Sequence, residues 1–472
     1  MSEDYAIAEI GSTTTTVGVF GREPAAPPGA ALRLLRQGAA LTTVGGADGG
    51  DVNIGLRAAL AQCGNPQGVR HMAASSAAGG LRMSVHGLMY DMTVRAAREA
   101  ALGAGANVCQ VTAGSLQPSD LAALTALGPT MVLLAGGVDY GERETVWRNG
   151  CLLAETFAGR PRKPPVVYAG NVQNREPLAK VFADAGMECV CVDNVYPSMD
   201  DLRVEPARQA IQALFEKHIA DVPGMEQVRA TVEGAVLPTP RAVMLAAETL
   251  HGTWGDLLVL DVGGATTDAH SVAEGTDDVA RRRTGPEPRS KRTVEGDLGL
   301  WRNRTNVVAL AGADALARRC GVSRERMATL IESVGPMPET EEEAVFLREL
   351  TFDAARTALH RHAGRWRDLY GPGGRTRLAE GKDLTGVQTV IGTGGALTRL
   401  PDGIEIIRRI LDEPAGNRLM PPRSARILLD REYIMAAAGV LAVEQPETAC
   451  ALVLESARVS SRECANVCGC GA

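Results

Sequence analysis

The sequence predicts an α/β fold built from two related lobes around a cleft, and three observations carry that expectation. An apolar strand twice runs into a small-residue turn headed by an acid, at Glu9-Ile10-Gly11-Ser12-Thr13-Thr14-Thr15-Thr16 and at Asp261-Val262-Gly263-Gly264-Ala265-Thr266-Thr267-Asp268. From Val69 onward, short β-rich runs alternate with longer amphipathic segments, as a parallel sheet with helices on its faces requires. The chain has 472 residues, more than one core ordinarily serves, so two or three domains are expected.

Residues 5–10 and 15–20 read as paired strands around the Gly11 turn, because Ala, Ile, Val and Phe alternate there with small polar residues. A Pro/Ala/Gly-rich connection follows over 24–31. Strands are then predicted at 69–75, 81–87, 107–113, 130–135, 165–169 and 188–193, with helices near 91–104, 118–127, 142–157, 174–185 and 200–220. Met131-Val132-Leu133-Leu134-Ala135 is continuously apolar, which suits a strand buried on both faces. Two strand ends carry glycine, Ala135-Gly136-Gly137-Val138-Asp139 and Ala169-Gly170-Asn171; there a tight turn competes with a ligand site at the carboxyl edge of a sheet.

A second module opens at Asp256 and passes through the second acidic turn. It continues with helices at 305–318, 323–333, 341–363 and 403–412, broken by a Gly-rich loop at 371–374, and returns to strand at 387–391. The domain reading is a first lobe over 1–250 with an α/β insertion near 107–195, a second lobe over 251–445, and a Cys-containing tail over 446–472.

Hydrophobic residues make up 45%, charged residues 22% and aromatics 4%, the composition of a globular chain rich in Gly and Ala. A net charge of -7 supplies no general attraction to nucleic acid or anionic membrane, so neither is expected as a partner. The run Arg281–Arg292 is the exception; its prolines and glycine read as an exposed, solvated loop, with an acidic partner as the lesser reading. No apolar stretch approaches the roughly 20 residues needed to span a bilayer, and the acidic start lacks a secretory pattern. A cytoplasmic location is expected, with the ten cysteines mostly as free thiols. Cys189 and Cys191 read as core residues facing opposite sides of a strand, and His360 and His362 as a solvated helix surface.

A phosphate group needs several inward-pointing N–H groups, and Gly, Ser and Thr permit close approach and add donors. Gly11, Ser12, Thr13 and Thr14 meet that need, as do Gly263, Gly264, Ala265, Thr266 and Thr267. Glu9 and Asp261, at the ends of the preceding strands, stand where a carboxylate holds Mg²⁺ through water or orients an attacking water. A third loop, Gly392-Thr393-Gly394-Gly395, follows an apolar strand and lets backbone lie flat against a nucleoside. ATP is the ligand these loops suggest, since neither Gly-x-x-x-x-Gly-Lys-Ser/Thr nor a dinucleotide fingerprint occurs.

In their order and spacing these three loops resemble the superfamily of actin, sugar kinases and heat-shock chaperone ATPases. The resemblance implies two actin-like lobes that clamp ATP and Mg²⁺. Within it, Ser75-Ser76-Ala77-Ala78-Gly79-Gly80-Leu81, the Asp261–Asp268 turn and Val294-Glu295-Gly296-Asp297-Leu298-Gly299 look closely similar to the glutamate mutase accessory family, GlmL or MutL. That name is shared with an unrelated DNA mismatch-repair ATPase, which this sequence does not resemble. The family resemblance implies an ATP-driven, chaperone-like reactivase whose partners are subunits of an adenosylcobalamin-dependent mutase. It also places Glu295 and Gly296 in a turn leading to nucleotide-contacting helices. The sequence departs from the superfamily at Glu9, where Asp is usual, and at Thr16, where many relatives carry Lys.

Other readings stay open at this stage: a small-molecule kinase of the same fold, an iron–sulfur activator ATPase of a dehydratase, and a nucleotide-sensing scaffold without turnover. The tail cysteines Cys464, Cys468 and Cys470 are three thiols for zinc or an iron–sulfur cluster, which ordinarily take four ligands. A homo-oligomer is compatible with the sequence. The inserted segment is expected to dock on the mutase.

Overall fold

The computed structural model describes residues 4–23, 31–43, 50–77, 81–199, 201–218, 224–335, 337–371 and 374–457. The chain opens with an antiparallel meander of β1 (Tyr5–Ile10), β2 (Thr14–Gly21) and β3 (Arg33–Leu41), after which β4 (Arg70–Ser75) lies parallel to β1. It then leaves this sheet for a second, all-parallel one: β5 (Arg82–Gly87), β6 (Asn107–Ala113), β7 (Met131–Leu134), β8 (Val166–Tyr168) and β9 (Cys189–Cys191), in the order β6-β5-β7-β8-β9. β10 (Val236–Pro238) returns to the first sheet beside β4. The parallel sheet is therefore an excursion between two neighbouring strands, and it takes in β5 as well as residues 107–191.

The second lobe repeats the first. β11 (Leu257–Val262), β12 (Thr267–Val272) and β13 (Ser290–Glu295) form a meander. A separate hairpin, β14 (Arg365–Gly371) with β15 (Gly374–Glu380), follows a run of helices. Then β16 (Thr389–Thr393) lies parallel to β11 and β17 (Arg426–Leu429) parallel to β16. The two orders, β10-β4-β1-β2-β3 and β17-β16-β11-β12-β13, are the same topology used twice.

Between these two sheets sits a shared core. Helices Thr239–Trp254, Met435–Ala442 and Pro446–Ser456 bury Ala242, Ala246, Leu441 and Leu452 together with Ile7 of β1 and Val259 of β11. The first two helices touch backbone to backbone: a Cβ on Gly439 would sit 1.7 Å from the Ala242 carbonyl oxygen. The tail expected over 446–472 thus begins as a packed helix, because Ala449, Leu452 and Val453 form its apolar face. Cys464, Cys468 and Cys470 lie outside the described residues, among which no cluster suited to a metal ion occurs. Nor does any described helix have the length and apolarity to cross a membrane.

Several local expectations are corrected. The loop expected over 281–292 ends inside β13, where Lys291 and Arg292 are ion-paired rather than solvated. The Gly-rich break at 371–374 separates two paired strands, β14 and β15, with Gly371 opposite Gly374. His362 is buried, its two ring nitrogens bonded to Thr293 Oγ1 at 2.7 Å and Ser271 Oγ at 2.8 Å. Cys189 and Cys191 are half-buried with their sulfurs 4.0 Å apart; residues two apart on a strand share a face.

Candidate nucleotide cleft between the lobes

The two acid-headed turns are built alike. Gly11 N–H donates to Thr14 O at 3.0 Å, and Gly263 N–H donates to Thr266 O at 3.0 Å. In register, Glu9 faces Thr16 across β1–β2, and Asp261 faces Asp268 across β11–β12. Glycine is required in the first turn, since a Cβ on Gly11 would lie 2.6 Å from the Thr14 carbonyl oxygen.

Both turns open on one cavity of about 610 Å³. Their tips nearly touch: a Cβ on Gly264 would come within 3.2 Å of Thr13 Oγ1. Arg302, just beyond the second turn, donates to the Ser12 carbonyl oxygen at 2.9 Å, and Arg399 donates to Gln37 at 2.7 Å. Hydrogen bonds thus tie the two walls of the cleft directly.

Carboxylates dominate its floor. Glu9 and Asp261 keep some surface open to the cavity, yet both lie deep enough for desolvation to govern them. Glu9 is pushed up to about 7 by burial, with the Tyr433 hydrogen bond opposing and Asp430 adding to the rise. Asp261 is held well above the usual carboxylate range by burial, then by Asp268 and Glu9, while Arg292 opposes. These acids form no three-ligand cluster among the described residues, so a hard divalent cation at this place would be held largely through water, as Mg²⁺ is in phosphate sites. The glycine-lined gap between the turns, which a Cβ would narrow, suits an anion reached by backbone and hydroxyl groups.

Among the residues expected to hold nucleotide, Gly11, Ser12, Thr13, Thr14, Gly263, Gly264, Ala265 and Thr266 line the cavity. Thr267 turns away, its hydroxyl donating to Leu298 O at 2.7 Å inside the core. From the third loop, taken over Ile391–Leu397, Gly395 and Ala396 reach the cavity wall. Gly392 is an interior ladder residue of β16, Thr393 donates to Asp430 at 2.9 Å, and Gly394 packs on the Val262 backbone. Glu295 is engaged by Arg361, and the Gly296 carbonyl accepts from Asn303 at 2.7 Å, so neither lines the cleft.

Three residues of the floor escaped sequence reasoning. Asp268 closes the quoted motif, and counting register across the turn places it opposite Asp261. Arg292, which pairs with Asp268, was hidden in a charged run. Tyr433 donates to Glu9 Oε1 at 3.1 Å from a residue whose φ is 53°, and no local signal joins positions so far apart in the chain.

A repeated strand order with one acid-headed turn from each lobe facing a common cavity defines the class, a two-lobed α/β protein with an interlobe cleft, as the resemblance to actin-like ATPases implies. The chain belongs to the MutL protein family, whose model matches residues 5–457, and this is the mutase accessory family that the motifs resemble. Protein MutL of Clostridium tetanomorphum is 37% identical over 393 residues, covering 81% of this chain and 84% of its own. Among solved structures, the nucleotide-free diol dehydratase-reactivating factor aligns over 94% of this chain and 100% of its own at 11% identity, with a TM-score of 0.36. Xylulose kinase from Bifidobacterium adolescentis aligns over 95% and 94% at 13% identity, with a TM-score of 0.31.

Proposed function

We propose that this protein binds and hydrolyses ATP in the interlobe cleft and acts as a chaperone-like reactivating factor for an adenosylcobalamin-dependent mutase, glutamate mutase or a related aminomutase. The observation that carries the reading is the pair of matching turns, each with its acid, on one cavity of a MutL-family chain. In this reading residues 1–250 and 251–445 are the two nucleotide-gripping lobes, and the parallel sheet of the first lobe meets the mutase. Met89, Tyr90 and Tyr140, all exposed in the connections that follow β5 and β7, with Tyr90 opening the helical turn Tyr90–Val94, are the candidate contact. Their replacement by Ala leaves nucleotide binding intact and weakens mutase capture.

Backbone and hydroxyl groups of Gly11–Thr14 and Gly263–Thr266 bind and orient the phosphates. Glu9 and Asp261 are the residues that would hold Mg²⁺ through water, and Arg292 keeps Asp268 in place beside them. Mg²⁺ held there would supply charge neutralisation for the phosphates. Asp261 orients the attacking water, giving ADP and phosphate. Closure around nucleotide draws on the contacts that already join the walls, Arg302 to Ser12 and Arg399 to Gln37.

The decisive experiment is capture of the mutase with and without ATP, together with phosphate release by wild type and Asp261→Ala. The reading expects nucleotide-dependent capture and loss of release in the variant. Equal release rates would remove Asp261 from the chemistry. A second reading, nucleotide sensing without turnover, is favoured by Glu9 being held by Tyr433 and raised towards neutrality; it expects tight ATP binding with no phosphate release by wild type.

A further inference from the structure

The β14–β15 hairpin stands off the second lobe and is tied to it only at its base. There Trp366 N–H donates to Asn417 O at 2.6 Å and Ala379 N–H donates to Arg282 O at 2.8 Å. Beyond these points no described segment bonds the outer edges of either strand, and residues 367–370 and 374–377 are exposed, Tyr370 by 79%. A lone two-stranded hairpin is marginally stable in water, and its open edges are templates for another strand.

The same hairpin gathers charge that the sequence keeps apart. Two guanidinium groups stand over the Trp366 ring, Arg377 at 4.7 Å from its centroid and Arg282 at 5.7 Å. Arg365, Arg367 and Arg377 line a cavity of about 450 Å³ with Trp366, Asp368 and Asn417. Some of this charge is already matched, through Arg365–Glu380, Arg375–Asp368 and Arg282–Asp278. Arg367 and Arg377 have no ion pair among the described residues and face solvent. The surface is thus locally basic on a chain whose net charge is -7.

We propose that the β14–β15 hairpin is a docking surface for an acidic, extended segment of a protein partner. Guanidinium groups meet its carboxylates, and an open strand edge pairs with its backbone. Nucleic acid fits less well, because Asp368 and Glu380 lie among the arginines and repel a phosphate backbone, and because it has no strand to add. The proposal is independent of the chemistry in the cleft.

The test uses the full chain and a fluorescein-labelled oligoglutamate peptide, read by anisotropy. Wild type binds the peptide, and binding weakens as ionic strength rises from about 0.05 M to about 0.5 M. Arg367→Glu with Arg377→Glu weakens it by about tenfold or more. A control with the same charge change on another face, Arg148→Glu with Arg162→Glu, leaves it near wild type, and nucleotide binding by both variants reports that the fold is intact. An N-methylated peptide, which keeps the charge but cannot pair along an edge, binds more weakly. Absence of peptide binding, equal loss in the control, undiminished binding of the N-methylated peptide, or tighter binding of a DNA duplex through the same arginines would each overturn the proposal.

Discussion

Arg292 grips Asp268 through two nitrogens, Nε at 2.9 Å and Nη2 at 2.7 Å, with both side chains almost wholly buried. The same guanidinium donates to the Ala106 carbonyl oxygen at 2.8 Å, so one side chain ties β12 to the segment that leads into β6. Around it run further links between the lobes: Lys291 with Glu99, Arg95 with Glu287, and Arg208 donating to Ser290 O at 2.7 Å. A charged run that reads as a solvated loop is, in the fold, part of the seam between lobes.

Breaking that pair strands a buried charge. Arg292→Met should destabilise the protein by about 3–5 kcal/mol, because Asp268 then lacks its partner beside Asp261. Replacing both residues, Arg292→Met with Asp268→Leu, should recover much of the loss, since the desolvation of both ions is removed together. Denaturant midpoints of the three proteins, at constant slope, measure this. A double variant no more stable than the single one would show that the guanidinium's carbonyl contact, rather than the ion pair, is what the site requires.

Adjacent glycines in the third loop should part company. Gly394 has φ of +84°, and its Cβ would lie 2.4 Å from the Val262 carbonyl oxygen, whereas a Cβ on Gly395 would meet nothing within 4 Å. Gly394→Ala should therefore cost more than about 1 kcal/mol through backbone strain. Gly395→Ala should leave thermal stability near wild type. Because Gly395 lines the cleft, the same variant tests the nucleotide assignment: weaker ATP binding without loss of stability is the expected pattern.

The turns were legible because their chemistry is local: glycine and hydroxyl residues after an apolar strand specify a tight hairpin at either lobe. Strands β5 to β9 were legible for a related reason, as buried parallel strands leave apolar runs such as Met131–Leu134. β13 was not, since its core side chains include Lys291 and Arg292, which are buried only because Glu99 and Asp268 arrive from elsewhere in the fold. β3 and the β14–β15 hairpin are largely exposed, so no apolar period marks them. Tyr433 belongs to the site through the packing of β17 beside β16, a long-range fact without a local pattern.

Glu9 makes the stability of the nucleotide-free protein depend on pH in a direction opposite to that of an ion-paired acid. Its pKa rises from 4.5 to about 7 in the folded state, so between these values the unfolded chain releases a proton that the folded chain retains. Ionisation therefore favours unfolding: the contribution of Glu9 is neutral below about pH 4.5, becomes progressively destabilising up to about pH 7, and is constant above. A shift of this size corresponds to at most about 3 kcal/mol, less to the extent that Glu9 shares the cavity with water. Glu9→Gln removes the titrating group and keeps an acceptor for the Tyr433 hydroxyl, so its denaturation free energy should lose this descent and exceed that of wild type near pH 8. Parallel pH profiles for the two proteins, measured without Mg²⁺ or nucleotide, would show instead that Glu9 is already ionised in the folded chain.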